Sequence, residues 1–146
     1  MTRTTITKKI DAPIGDVFRT VAEINRFSKA IPHITKVEFL SEAKTGAGTT
    51  FRETRLMRGK EVSTVLEITE YIENDHVRLV ADSHGTVWDS LFTVEPDEDL
   101  TRLTLVMDAT PKTFMSKLTV PLFRRLVAKA IEKDMDAVKA FCEGSR

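Results

Sequence analysis

The chain has 146 residues, 41% hydrophobic and 30% charged, enough for one hydrophobic core and too short for two ordinary domains, so a single domain over 1–146 is expected. Its 22 lysines and arginines balance 22 aspartates and glutamates, which excludes a global positive field for holding nucleic acid or an anionic membrane and leaves such partners only a local patch. No segment approaches the roughly 18 uninterrupted apolar residues of a membrane span, and "MTRTTITKK" lacks a signal-peptide run, so a cytoplasmic protein is expected.

The first nine-residue stretch, "RTTITKKID" (3–11), is rich in β-branched residues, alternates, and stops at Asp11; it reads as a strand. "APIGDVFRTVAEI" follows, with Pro13 suited to a first helical turn and Ile14, Val17, Phe18, Val21 and Ala22 on one stripe. A second short helix carries Phe27, Ala30 and Ile31 and closes at Ile31-Pro32, because the residue before proline is pushed towards extended geometry. From Ile34 the apolar positions Val37 and Phe39 fall every second residue, and a strand begins.

Turn signals at Gly46 and Gly48, Gly59, "ENDH" (73–76), Gly85 and "EPDED" (95–99) then divide the chain into strands near 34–40, 49–57, 60–71, 76–83, 86–95 and 101–109. With the first, these make seven. The closing segment places Leu118, Leu122, Phe123, Leu126, Val127, Ala130, Ile131, Val138 and Phe141 at helical spacing, as one long helix kinked or restarted at Pro121. The expected architecture is α+β: a seven-stranded antiparallel sheet wrapped around a long C-terminal helix, with two short helices between strands 1 and 2. Phe27 and Ile31 would plug the mouth between sheet and helix.

Polar residues on inward faces carry most of the chemical information. The phase Trp88, Phe92, Val94 brings Ser90 inward and sends Asp89 out, and the phase Val77, Leu79, Ala81 brings Ser83 inward. In "FRETRLM" an inward Phe51 implies inward Glu53, Arg55 and Met57, with Arg52 and Thr54 exposed. Two inward charges are costly in a dry core; they either pair inside a wet cavity or reach solvent through a bulge. On the long helix, steps of about 100° put Asp134 near the middle of the face formed by Leu126, Val127, Ala130, Ile131, Ala137, Val138 and Phe141. It reads as a buried aspartate satisfied by a strand hydroxyl or Trp88, or alternatively as a ligand-facing carboxylate.

Lys117, Arg124, Arg125, Lys129 and Lys133 of the same helix form a solvated basic strip, which a transient membrane-surface contact would also use. Catalytic signatures such as GxSxG, HExxH, CxxC and the P-loop are missing. His33, His76 and His84 lie far apart at strand ends, where structural or surface roles outweigh a catalytic role for His33. Cys142 cannot form an internal disulfide and reads as a small hydrophobe.

The order of elements, together with "I-x-A-P-I-x-D-V-F" (10–18), "F-x-x-x-I-P-H-I-x-K-V" (27–37), "G-x-G-T-x-F-R-E" (46–53), "L-E-I-T-E-Y" (66–71) and "DAVKAFCE", resembles the START/Bet v 1-like (SRPBCC) superfamily, and within it the polyketide cyclase/dehydrase and lipid-transport group. The resemblance implies a helix-grip fold with a hollow that holds a small hydrophobic molecule such as a lipid or polyketide. The lining expected is Phe18, Phe27, Phe51, Glu53, Arg55, Leu66, Leu79, Ser83, Trp88, Ser90, Phe92, Met107, Phe123, Leu126, Val127 and Asp134. No metal or organic cofactor is expected, and monomer and homodimer both remain open. Binding or transport needs only the cavity. A cyclase or aromatase would add an acid or base, for which Glu53, Arg55 and Asp134 are the inward candidates; a toxin-like or co-chaperone-like interaction protein would leave the cavity small.

Overall fold

In the computed structural model, which describes residues 1–144, the strands are β1 (Thr2–Ile10), β2 (Ile34–Phe39), β3 (Thr50–Met57), β4 (Lys60–Ile72), β5 (His76–Ser83), β6 (Thr86–Asp97) and β7 (Leu100–Pro111). The last two residues of the expected 1–146 domain lie outside the described residues. All seven strands join one curved antiparallel sheet in the order β1-β7-β6-β5-β4-β3-β2. The helices are α1 (Ile14–Ala22), α2 (Ile24–Ala30), α3 (Phe114–Leu122) and α4 (Arg124–Gly144).

The order explains the change of structure type after Ala30. β1 and β2 are neighbours in sequence but opposite edges of the sheet, and the helix pair carries the chain from one edge to the other. α1 buries Val17, Phe18, Val21 and Ala22, one face of the helix. Ile31 takes the extended φ −106°, ψ 101° that Pro32 requires of it, ending α2 and aiming the chain into β2.

The observed strands depart from the expected ones chiefly at the β6–β7 turn. "EPDED" is mostly strand: β6 runs through Pro96 to Asp97, leaving Glu98, at φ 56°, and Asp99 as the turn. The proline is tolerated because β5 stops pairing at Thr93, so beyond it β6 has only β7 as a ladder partner and the missing N–H costs nothing. Thr54, expected to be exposed, is buried: it lies between β2 and β4, opposite Lys36 and Ser63, and its hydroxyl is 2.8 Å from that of Ser63.

The core lies between the sheet and the helices. Ile10, Phe18, Ile31, Phe51, Ile68, Leu103, Met135 and Val138 are essentially inaccessible, and α4 contributes Ile131, Met135, Val138 and Cys142. Each such side chain stabilises the fold by roughly 1.5–3 kcal/mol of transfer free energy.

Of the two alternatives at Pro121, a kink or a restart, the helix restarts. Pro121 lacks the N–H that would continue the ladder, Phe123 leaves helical geometry at φ −98°, ψ 14°, and α4 begins at Arg124. α3 is fixed at its start by a capping box between Thr113 and Ser116, and the Ser116 hydroxyl also donates to the Gly85 carbonyl at 2.9 Å. Gly85 sits at φ +80° with Thr113 so close that a Cβ would lie 2.8 Å from the threonine Oγ1, so only glycine fits this turn. Beyond its cap α3 is only lightly held: Phe114, Met115, Leu118 and Leu122 are all more than half exposed.

Candidate functional site

A cavity of about 410 Å³ lies between the concave face of the sheet and α4. Because side chains alternate along a strand, each strand lines it with every second residue. β3 gives Phe51, Glu53, Arg55 and Met57; β4 gives Val62, Thr64 and Leu66; β5 gives Leu79, Ala81 and Ser83; β6 gives Trp88, Ser90 and Phe92; β7 gives Leu105 and Met107. α4 closes it with Val127, Ala130, Ile131, Asp134, Met135 and Val138, and the helix pair closes one end with Val21, Ala22, Ile24 and Phe27. Met57 and Val62, on either side of the β3–β4 turn, are 45% and 38% exposed and mark the mouth.

One wall of this apolar chamber is charged. Glu53 and Arg55 both face inward from β3, and the Arg55 Nε donates to Glu53 Oε1 at 2.5 Å. Its Nη1 donates to Asp134 Oδ2 at 2.8 Å, across the cavity from β3 to α4, and lies 3.2 Å from His33 Nε2. The partner of Asp134 is therefore a guanidinium and not a strand hydroxyl or Trp88. His33 Nε2 is also 3.7 Å from Asp134 Oδ1. Register explains the meeting: Arg55 pairs with Ile34, immediately after His33, and β2 bulges between Ile34 and Lys36. Burial alone would lower the Arg55 pKa, but the charges of Glu53 and Asp134 and their hydrogen bonds outweigh it and raise the value, so the guanidinium stays charged.

Thirteen of the sixteen expected lining residues border this cavity: Phe27, Phe51, Glu53, Arg55, Leu66, Leu79, Ser83, Trp88, Ser90, Phe92, Met107, Val127 and Asp134. Three lie elsewhere. Phe18 is fully buried and its ring meets Tyr71 edge-on at 5.2 Å, because α1 presses it into the core instead of the hollow. Phe123 occupies the break between α3 and α4, is half exposed, and borders a second cavity of about 300 Å³ that shares Ser83, His84, Trp88, Met107 and Val127 with the first. Leu126 is 50% exposed, since it is rotated about 100° along α4 from the inward Val127. Ile31, expected at the mouth, is wholly buried instead.

Val62, Thr64 and Leu105 line the cavity as well, two or four residues from Leu66 and two from Met107, so strand alternation gives them the same inward face. His84 also lines the cavity, in left-handed geometry at φ 53° with its Nδ1 2.7 Å from the Ser83 hydroxyl. His76 is on the outer surface, where Arg78 bridges Glu70 and Asp89, each at 2.8 Å. Burial pushes the Cys142 thiol up, which disfavours a nucleophilic thiolate. Among the described residues no three His, Cys, Asp or Glu side chains gather as a metal site, and no helix is long and apolar enough to cross a membrane.

What the arrangement can do is hold an apolar body against aromatic and aliphatic walls while a polar end meets the Glu53–Arg55–Asp134 wall. A sequence profile described as polyketide cyclase / dehydrase and lipid transport matches residues 1–143. No curated protein matches the chain in sequence. Among solved structures, a START superfamily protein from Mycobacterium smegmatis superposes with a TM-score of 0.80 at 16% identity, covering 99% of each chain. Ara h 8.0201 gives 0.78 at 16% identity, covering 99% of this chain and 96% of its own. The di-domain ARO/CYC StfQ from the steffimycin biosynthetic pathway gives 0.78 at 13% identity, covering 98% of this chain and 51% of its own. At these identities the superpositions establish the fold.

Proposed function

The chain belongs to the polyketide cyclase/dehydrase and lipid transport family, and we propose that it acts through its cavity, binding a small hydrophobic molecule such as a lipid or polyketide and releasing it elsewhere. The observation that carries this reading is the chamber of about 410 Å³ walled by Phe27, Phe51, Leu79, Trp88, Phe92 and Val127, with charge confined to one side. That volume lies within the range of small-molecule sites. Residues 1–146 are read as one START/Bet v 1-like domain. Native mass spectrometry of the protein purified from its own host, compared with denatured protein, tests the proposal: a co-purifying apolar mass is expected, and bare protein under conditions that retain other lipids would count against it.

A cyclase-type enzyme is the second reading, favoured by the gathering of Glu53, Arg55, Asp134 and His33 where an acid or base could act on a bound ring. Under it, His33→Ala would abolish conversion of a polyketide substrate while leaving its binding intact. An interaction protein that works only through its surface has no need of so large a chamber.

The partner surface we propose is the α3–α4 elbow. Phe114, Met115, Leu118, Leu122, Phe123 and Leu126 are exposed there, and residues 109–131 contain five basic side chains and no acidic one. Apolar side chains among lysines and arginines suit a transient contact with an anionic bilayer. Flotation with vesicles containing phosphatidylglycerol, but not with phosphatidylcholine alone, is the expected result, and Leu122→Asp should abolish it.

A further inference from the structure

Granting that the cavity binds an apolar molecule, the polar wall limits what the polar end of that molecule can be. Glu53 and Asp134 bring two carboxylates to one guanidinium, and Glu53 is only 8% exposed, so the wall carries an excess of negative charge in a poorly hydrated place. The pairing uses one oxygen of each carboxylate. Among the described residues neither Glu53 Oε2 nor Asp134 Oδ1 accepts a hydrogen bond; His33 Nε2 lies 3.7 Å from the latter. On the arginine, Nε and Nη1 are engaged and Nη2 is not. The wall thus offers two acceptors and one donor edge. The other polar lining consists of the hydroxyls of Thr64, Ser83 and Ser90, the indole N–H of Trp88, and His84, whose Nδ1 is already engaged by Ser83.

A third carboxylate set against this wall would meet like charge at short range with little water to screen it. A hydroxyl meets the opposite situation: its hydrogen can go to Glu53 Oε2 or Asp134 Oδ1 while its oxygen accepts from Arg55 Nη2. We infer that the cavity takes neutral, hydroxyl-bearing apolar molecules and rejects carboxylates of the same length, so that Arg55 serves as a counter-charge for the protein's own acids and not as a receptor for an acidic ligand.

The emission of Trp88, the chain's single tryptophan and part of the cavity wall, reports on binding. Titrations at neutral pH would compare 1-decanol with decanoate, below the micellar concentration, on wild-type protein and on Glu53→Gln and Asp134→Asn. Desolvating an ionised carboxylate is costly in any apolar cavity, so the decisive quantity is how the ratio of the two affinities changes when one acid is neutralised. Decanol should bind wild type more tightly, and either variant should raise the affinity of decanoate relative to decanol by about tenfold. Two variants are used so that misfolding of one leaves the other to decide. Decanoate binding wild type as tightly as decanol, or a ratio unmoved in a folded variant, would overturn the inference while leaving the binding reading in place. If neither probe alters Trp88 emission, the binding reading falls and the head-group inference with it.

Discussion

The molecule builds the same charged unit twice, an arginine between two carboxylates with a histidine at its edge, once on each face of the sheet. On the outer face Arg78 holds Asp89 through two hydrogen bonds and Glu70 through a third, joining β4, β5 and β6, with His76 3.1 Å from Glu70. On the inner face Arg55 holds Glu53 and Asp134, joining β3 to α4, with His33 beside it. The Arg78 side chain is 38% exposed and that of Arg55 22%, while Glu70 and Glu53 differ more, at 45% against 10%. Water competes for the outer charges and screens them; the inner ones depend on each other. Equal inventories of contacts therefore carry unequal consequences.

The largest effect should come from breaking the two units in the same way. Arg55→Met leaves two carboxylates uncompensated in the cavity wall and should cost about 3–5 kcal/mol in urea-induced unfolding, where Arg78→Met should cost only a small fraction of that. Similar losses would mean that the inner unit is far better hydrated than its burial indicates. Asp134→Ala is milder, because Arg55 keeps Glu53: a loss of about 1–3 kcal/mol is expected from the same measurement, with unchanged stability the outcome that would dismiss the ion pair as a structural tie.

The same alternation that places Glu53 and Arg55 inward was legible in the sequence, as were the inward phases of β5 and β6 and the place of Asp134 on α4. The period of two fixes the face of a side chain, but not its partner. His33 reaches Arg55 only because β2 pairs in register with β3 and bulges after Ile34, a long-range fact without local signal. Phe123 comes out inward only if one helical wheel is extended across Pro121, where the wheel loses its phase, and Leu126 only if the apolar face of α4 is drawn one step of about 100° too broad beyond Val127. Phe18 fits the apolar stripe equally well as core or as lining; only the docking of α1 decides.

Salt sharpens the contrast between the units at lower cost. From about 0.1 to 1 M sodium chloride the Debye length falls from about 10 to 3 Å, so the deficit of Arg78→Met should fade while that of Arg55→Met persists in repeated melts. The smallest effect belongs to His76. Hydrogen bonds to Asp75 and Glu70 raise its pKa despite partial burial. The folded state thus favours the charged imidazole, and the stabilisation is complete below the ordinary histidine pKa and disappears as pH rises through the higher folded value. The melting temperature of His76→Gln should therefore fall short of wild type at pH 5.5 and match it at about pH 9.

The sheet order has a further consequence, for how the chain comes together in time. β1 pairs with β7, so that Thr2 faces Ala109, and β1 has no other ladder partner. A ribosome releasing this chain delivers the first strand and then almost everything else before that strand can be hydrogen-bonded. The hairpins from β2 to β7 can zip sequentially as they emerge, each closing a short loop, whereas seating β1 must close a loop of about a hundred residues. Closing that edge, with α4 packed beside β1, is therefore expected to come late in folding. Until it happens β1 is a β-branched strand with both edges unpaired, and its lysines at positions 8 and 9 are the residues placed to discourage it from pairing with another copy.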